Sequence, residues 1–182
     1  MCTVIAVASI LFLLIILQQS VVAGQYSGSY STYPNSELGY SVNYPSNWDV
    51  QHFPFFSTVY ISSADRQALV VITVAKNDTG KGMIFQDMIK NDPQGNSTAD
   101  HKIVDATGNI RLLGQPARRI ELSYIYTDPI TKVSIPTKSI AFETVVSERH
   151  ITITMSAPAV DFVKYAPIFT QMLNSFKLNI WQ

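Results

Sequence analysis

The chain has 182 residues, with 13 basic and 13 acidic side chains and therefore no net charge. A neutral domain lacks the clustered lysines and arginines that neutralise phosphates, so we expect no nucleic-acid partner. Its single cysteine, Cys2, excludes an intramolecular disulfide and leaves no thiol in the rest of the chain for a zinc site or a nucleophile.

Residues 1–24 are predicted to be a signal peptide or an N-terminal membrane anchor. The apolar run at 4–17 is about 21 Å long as a helix, shorter than the ~30 Å hydrocarbon core of a bilayer, which favours a signal peptide. Including residues 21–23 lengthens it to nearly a full span, so a retained anchor stays open. Either way we expect an extracytoplasmic protein, secreted or tethered to the outer face of the cytoplasmic membrane.

Residues 25–36 are rich in Ser, Tyr and Thr and contain no aliphatic side chain. Such a segment buries too little apolar surface to offset its ordering entropy, so we expect a flexible tether. An alternative makes Tyr26, Tyr30 and Tyr33 an aromatic arm that docks on a partner.

The folded domain is predicted over residues 37–179 and opens with the stretch 39–50. Apolar and polar residues alternate from Tyr40 to Tyr44, residues 45–47 are turn formers, and the alternation restarts at Trp48. This pattern predicts a β-hairpin.

Four aromatic residues close this first part of the domain: Trp48, Phe53, Phe55 and Phe56. Core packing is the favoured interpretation of these rings. The alternative is that they form one wall of a pocket for a small ligand.

Residues 68–75 form a continuous apolar run of strand length, typical of a strand that is buried on both faces of a sheet. Residues 83–91 carry apolar side chains at helical spacing. We therefore expect the sheet to be covered on both sides.

The second half is predicted to be a run of strands. Residues 103–104 and 110–113 read as two short strands separated by a turn at 107–109, and a long strand follows the turn at 114–116. Residues 140–146 and 149–155 are predicted to pair as a hairpin, with Thr144 opposite Ile151, because this register places the apolar residues on one face.

Residues 161–176 predict the terminal helix, with Pro167 at the first position of its main part, where a missing N–H costs nothing. The predicted fold class is therefore α+β: an antiparallel β-sheet flanked by helices on both faces, an α/β/α sandwich.

Three segments resemble the PsbP-like family, whose eponym is an extrinsic lumenal subunit of photosystem II. The likeness spans about residues 37–179 and rests on the order and spacing of these motifs: Gly39-Tyr40-Ser41-Val42-Asn43-Tyr44-Pro45 with Trp48; Leu113-Gly114-Gln115-Pro116-Ala117-Arg118-Arg119; and Ser156-Ala157-Pro158 with Phe162, Tyr165, Pro167, Met172-Leu173 and Ser175-Phe176-Lys177. The resemblance implies a sheet covered by helices on both sides and a non-enzymatic role. The chain is most similar to the exported prokaryotic members.

No catalytic, metal or cofactor site is predicted. Asn77 and Asn96 each begin an Asn-x-Ser/Thr sequence and are candidate glycosylation sites. Arg119, Glu121 and Glu143 are predicted to share one face of the sheet and to form ion pairs.

The leading functional hypothesis is a non-catalytic, extracytoplasmic binding or assembly module near a membrane, whose partner is an unknown membrane or envelope protein. The second is a domain that binds a small ligand or a calcium-type metal ion, as photosystem II extrinsic subunits do. A hydrolytic enzyme is the third, and no residue constellation supports it. The sequence does not indicate an oligomeric state.

Overall fold

The structure, a computed structural model, describes residues 28–76, 98–128 and 130–179. It has ten strands and one α-helix in those residues: β1 Tyr30–Asn35, β2 Tyr40–Pro45, β3 Asp49–Phe53, β4 Thr58–Ser62, β5 Leu69–Lys76, β6 Thr98–Leu112, β7 Gln115–Thr127, β8 Ser134–Val146, β9 Arg149–Pro158, α1 Phe162–Ser175 and β10 Lys177–Leu178. One sheet has the strand order β1-β2-β10 and the other β3-β4-β5-β9-β8-β7-β6. All neighbouring strands are antiparallel.

The prediction of a flexible tether over 25–36 is wrong for strand β1. Tyr30–Asn35 pairs with β2 along its whole length, from Tyr30 opposite Pro45 to Asn35 opposite Tyr40. The ring of Tyr33 also packs at 6.4 Å from the ring of the fully buried Tyr40. The segment has no aliphatic side chains, and the rings of tyrosines on neighbouring strands make the apolar contacts in their place.

The predicted opening hairpin is also wrong. Strands β2 and β3 form where the alternation places them, but β2 pairs with β1 and β10 while β3 pairs with β4. The turn at 45–48 therefore carries the chain from one sheet to the other. Alternation identifies a strand but does not identify its partner.

Strand β5 lies inside the larger sheet, between β4 and β9. Its residues Val70, Ile72 and Val74 are fully buried on the face that α1 covers, and the intervening residues are half-buried. A second, smaller cluster of Ile120 and Ala141 is buried on the opposite face. Helix α1 is the one covering helix among the described residues, and the helix predicted at 83–91 lies outside them.

Strand β6 replaces the two short strands predicted at 103–104 and 110–113. It is a single strand whose register against β7 shifts at three places, one of them at the predicted turn around 107–109. The glycine there, Gly108, lies in a bulge, which keeps the strand continuous.

The register predicted for the long hairpin is confirmed. Strands β8 and β9 pair with Val146 opposite Arg149, Thr144 opposite Ile151 and Phe142 opposite Ile153. The two-residue turn at 147–148 has positive φ at both residues, 45° at Ser147 and 63° at Glu148, as a tight hairpin turn requires.

Helix α1 begins earlier than predicted, because Pro167 lies inside it and does not start it. The turn before the proline is held by its contacts: the ring of Phe162 lies 5.6 Å from the ring of Phe169, and the Tyr165 hydroxyl donates to Asp65 at 2.8 Å. These contacts offset the backbone hydrogen bond to Val163 that the proline cannot donate.

The two ends of the seven-stranded sheet differ in their loops. At one end the chain comes in from the N-terminus: the Ser46 N–H donates to the Ser29 carbonyl at 2.9 Å just before β3 begins. We call this the proximal end, and it also holds the loops at 63–68, 128–133 and 159–161. The opposite, distal end holds the loops at 54–57, 113–114 and 147–148.

Candidate functional site

An exposed aromatic surface lies at the distal end, on the outermost strand β3 and its neighbour β4. The rings of Phe53 and Tyr60 lie 4.9 Å apart and are both partly exposed. A single 3₁₀ turn, Pro54–Phe56, follows and presents the side chain of Phe55 with 99% of its surface exposed. We call Phe53, Phe55 and Tyr60 the aromatic edge.

The turn that carries Phe55 is ordered by its own backbone. The Ser57 N–H donates to the Pro54 carbonyl at 3.0 Å, and Ser57 takes a left-handed conformation with φ of 51°. Pro54 supplies the fixed φ with which the turn begins. The exposure of Phe55 is therefore a feature of an ordered turn.

The structure separates the four aromatic residues of the predicted pocket wall. Trp48 is buried under α1, with its ring 6.3 Å from the Tyr165 ring and 6.4 Å from the Phe169 ring. Phe53 and Phe55 face solvent instead, and the side chain of Phe56 lies outside the described part of the chain. Trp48 and Phe55 therefore do not line one wall.

The candidate glycosylation sites Asn77 and Asn96 both lie outside the described residues. Tyr60 was missed by the sequence analysis. The signal for it was present, because Tyr60 alternates with the buried Val59 and Ile61 and so belongs to the outer face of β4.

An open cleft of about 420 Å³ lies across the ends of β7, β8 and β9. Arg118 and the buried Glu143 approach there, with 3.8 Å between Nη1 and Oε2, which is longer than a hydrogen bond. Its walls bring a cation, a carboxylate and an imidazole together and suit a small polar ligand. The lining residues are Gly108, Pro116, Ala117, Arg118, Glu143, Thr144, Val145 and His150.

The predicted sharing of one face by Arg119, Glu121 and Glu143 is wrong for Glu143. Arg119 Nη2 lies 2.7 Å from Glu121 Oε2, whereas Glu143 stands opposite Arg118 on the other face of the sheet. Side chains along a strand alternate between its two faces, so the side chains of Arg118 and Arg119 lie on opposite faces of the sheet.

The Arg119–Glu121 pair is part of a row of charges across three strands. Lys138 Nζ lies 2.6 Å from Glu121 Oε1, and Asp105 Oδ2 lies 3.0 Å from Arg119 Nη1. Hydrogen bonds from Lys138 and Arg119 hold the pKa of Glu121 below its usual range. The charges are satisfied within the row, as in a cross-strand stabilising network.

The described residues contain no group of three or more His, Cys, Asp or Glu side chains placed to hold a metal ion. The three histidines, His52, His101 and His150, lie on β3, β6 and β9. No helix in the described ranges is long and apolar enough to cross a bilayer.

No protein-family model matches the chain, and no curated protein matches it in sequence. Solved structures do match. The solution structure of cyanobacterial PsbP (CyanoP) from Synechocystis sp. PCC 6803 aligns with a TM-score of 0.60 at 16% identity, over 85% of this chain and 95% of that one. The chain has a PsbP-like fold.

The PsbP-like fold is shared more widely. The Ran-binding protein Mog1p of Saccharomyces cerevisiae aligns with this chain with a TM-score of 0.54 at 7% identity, over 84% of this chain and 96% of that one. At these identities the likeness establishes the fold alone, because one fold hosts many unrelated functions.

Proposed function

We propose that this PsbP-like chain is a non-catalytic, extracytoplasmic binding or assembly module that acts near a membrane and binds a protein partner through the aromatic edge. The observation that carries the proposal is Phe55, whose side chain stands wholly in solvent beside the Phe53–Tyr60 ring pair. Exposed aromatic clusters mark interaction surfaces, and protein interfaces are enriched in Phe and Tyr.

The free energy available from burying Phe55 favours a protein partner at the aromatic edge. Burying a phenylalanine side chain contributes about 2 kcal/mol, and Phe55 leaves all of this unused in the isolated chain. The ordered turn around it adds little entropic cost on binding, because the backbone is already fixed by the Ser57–Pro54 hydrogen bond. Mog1p, which shares the fold, is named as a Ran-binding protein, and this supports a binding role for the fold.

The extracytoplasmic location rests on the apolar run at 4–17. The second covering helix belongs to the same proposal: residues 83–91 have an apolar helical face, and the buried Ile120, Leu122 and Ala141 lie on the sheet face opposite α1. Glycans at Asn77 and Asn96 would agree with this location and would add mass to the protein isolated from its native envelope.

The test is affinity capture of the full chain from native membranes in mild detergent. We expect a stoichiometric protein partner, and we expect Phe55→Ser to lower its recovery about tenfold, the equivalent of roughly 1.4 kcal/mol. The matched control is Val163→Ser on α1, which removes another exposed apolar side chain and leaves recovery unchanged. Equal recovery with Phe55→Ser and the unmodified chain would exclude the aromatic edge.

A second candidate function is the binding of a small ligand, which the cleft at Arg118, Glu143 and His150 favours; for the calcium-type form of this hypothesis the same cleft is the place to test. A ligand that binds only the native state raises the melting temperature. We expect curves with and without calcium to coincide, because the cleft offers calcium a single carboxylate, Glu143, paired with Arg118. A rise in the melting temperature that Glu143→Gln abolishes would favour the second function.

A further inference from the structure

The hairpin between β7 and β8, with the start of β6 beside it at Thr98 opposite Tyr126, projects beyond β3, β4 and β5 at the proximal end. The register places the start of β3 level with the middle of β8, through the pairs Asp49–Ser62, Ser62–Leu69, Leu69–Ser156 and Ser156–Ser139. Strand β8 begins five residues before Ser139, at Ser134. At about 3.3 Å per residue, the hairpin extends roughly 17 Å past the start of β3.

Exposed aliphatic side chains stand at the tip of this hairpin. We call Asp128 and residues 130–133 the fingertip: 88% of the surface of Ile130 and 54% of that of Val133 are exposed there. Val160 is equally exposed on the neighbouring loop but is set back from the tip, because the adjacent Ala159 N–H donates to the Pro136 carbonyl at 2.8 Å.

The fingertip is held in one conformation. The Asp128 carboxylate accepts hydrogen bonds from the N–H of Ile130 at 2.9 Å and the N–H of Thr131 at 2.6 Å. The Asp128 N–H donates to the Val133 carbonyl, and the Lys132 N–H donates to the Asp128 carbonyl, both at 2.9 Å. These bonds present Ile130 outward without the entropy of a flexible loop.

The N-terminal segment enters at the same end. The Ser29 carbonyl accepts a hydrogen bond beside the start of β3, and four residue steps separate Gly24, the last residue of the predicted signal peptide or anchor, from Gly28. Four extended residues reach at most about 14 Å. If residues 1–24 stay in a bilayer as an anchor, the lipid surface lies within about 14 Å of Gly28, a distance that the roughly 17 Å projection of the fingertip covers.

We propose that the fingertip contacts the lipid surface to which the N-terminal segment is anchored, so that the domain stands on its proximal end. This rests on the membrane-proximal location in the proposed function, and it leaves the aromatic edge at the distal end facing away from the bilayer. Lipid is the favoured occupant because the N-terminal segment enters at the same end of the sheet and the tip presents exposed aliphatic side chains.

The charges at the fingertip indicate apolar rather than electrostatic attraction. Lys132 is offset by Asp128 within the same loop, so the tip is not a polybasic patch that needs anionic lipid. Contact should therefore be the same on phosphatidylcholine vesicles with and without phosphatidylglycerol.

The experiment uses the full chain, with Cys2→Ser, in phosphatidylcholine vesicles that carry a brominated acyl chain as quencher. A fluorescent label is attached to a cysteine at Thr131, Val160 or Gln115, all of which are exposed positions. We expect strong quenching at Thr131, weaker quenching at Val160 and none at Gln115, which lies at the distal end. No quenching at Thr131, or quenching at Gln115 that equals it, would overturn the proposal.

A second arm separates lipid contact from a short tether that merely holds the domain close. With a Gly-Ser spacer inserted before Gly28, and with the label at Thr131→Cys, the quenching should persist because the side chains hold the tip on the lipid. Ile130→Asn in that chain should lower the contact about tenfold, and the control Val145→Asn at the distal end should not. Loss of quenching on adding the spacer alone would refute a role for the side chains.

The protein-binding proposal and the lipid-contact proposal can be refuted independently of each other. Partner capture in detergent tests the aromatic edge without a bilayer, and vesicle quenching tests the fingertip without a partner. Loss of capture on Phe55→Ser together with an unquenched fingertip would leave the protein-binding function intact and remove the lipid contact.

Discussion

Replacing Gly39 by alanine tests how the two sheets are joined. Gly39 has φ of 65°, and an added Cβ would lie 2.9 Å from Arg149 Nη1 and 3.0 Å from the Asn179 carbonyl oxygen. The same guanidinium donates to the Leu38 carbonyl at 2.7 Å, which ties the start of β2 to the start of β9. A Cβ would push this guanidinium away from its acceptor.

The expected cost has two parts. Alanine in a left-handed conformation costs about 1 kcal/mol or somewhat more. Loss of the charged hydrogen bond from Arg149 to Leu38 adds roughly 2 kcal/mol, so Gly39→Ala should lower the free energy of unfolding by about 3 kcal/mol. Most of this loss depends on Arg149.

Gly114→Ala is the matched control. Gly114 has φ of 75°, but a Cβ there would meet no heavy atom within 4 Å. It should therefore cost only the conformational part, about 1 kcal/mol. The effect of alanine on the unfolded chain is the same in both variants and cancels in the comparison.

The assay is urea unfolding of both variants, each also in an Arg149→Ala background, compared at unchanged m value. The difference between the two glycine variants should shrink by the roughly 2 kcal/mol assigned to the Arg149 hydrogen bond once Arg149 is removed. The remainder reflects the Asn179 carbonyl oxygen, which still lies 3.0 Å from the added Cβ. Equal losses for Gly39→Ala and Gly114→Ala in the natural background would refute the role given to this contact.

Two further predictions concern α1 and its neighbours. Met172→Ala should lower the free energy of unfolding by about 3 kcal/mol in urea titrations, because Met172 is fully buried between helix and sheet, whereas Val163→Ala on the exposed side should change it by less than ~0.5 kcal/mol. Hydrogen bonds from Ser63, the Gln67 N–H and Tyr165 lower the pKa of Asp65. The Asp65 carboxylate therefore stabilises the fold fully above its ordinary pKa of 3.8, and this stabilisation is lost as the pH falls through the lower folded-state pKa. Melting curves of Asp65→Asn should thus show a weaker loss of stability on acidification than the natural chain, and identical acid profiles would contradict this assignment.

Local periodicity predicted most of the larger sheet. The apolar run at 68–75, the alternation after residue 116 and the two-residue turn at 147–148 each depend on near neighbours, so strands β5 and β7 and the β8–β9 register follow from the sequence. The resemblance to the PsbP-like family was confirmed as a fold. The composition of residues 25–36 led to the wrong prediction of a flexible tether at β1, because this strand contains tyrosines in place of aliphatic residues.

Local sequence pattern therefore sets where the strands and the terminal helix form and which of their faces are apolar, because side-chain period is a local property. Tertiary structure decided which strands pair, that Trp48 is buried while Phe55 stands in solvent, and that Glu143 lies away from Glu121. It also decided that Ile130 projects from the end at which the N-terminal segment enters. These depend on contacts between residues far apart in the chain, which a pattern over neighbouring residues does not contain.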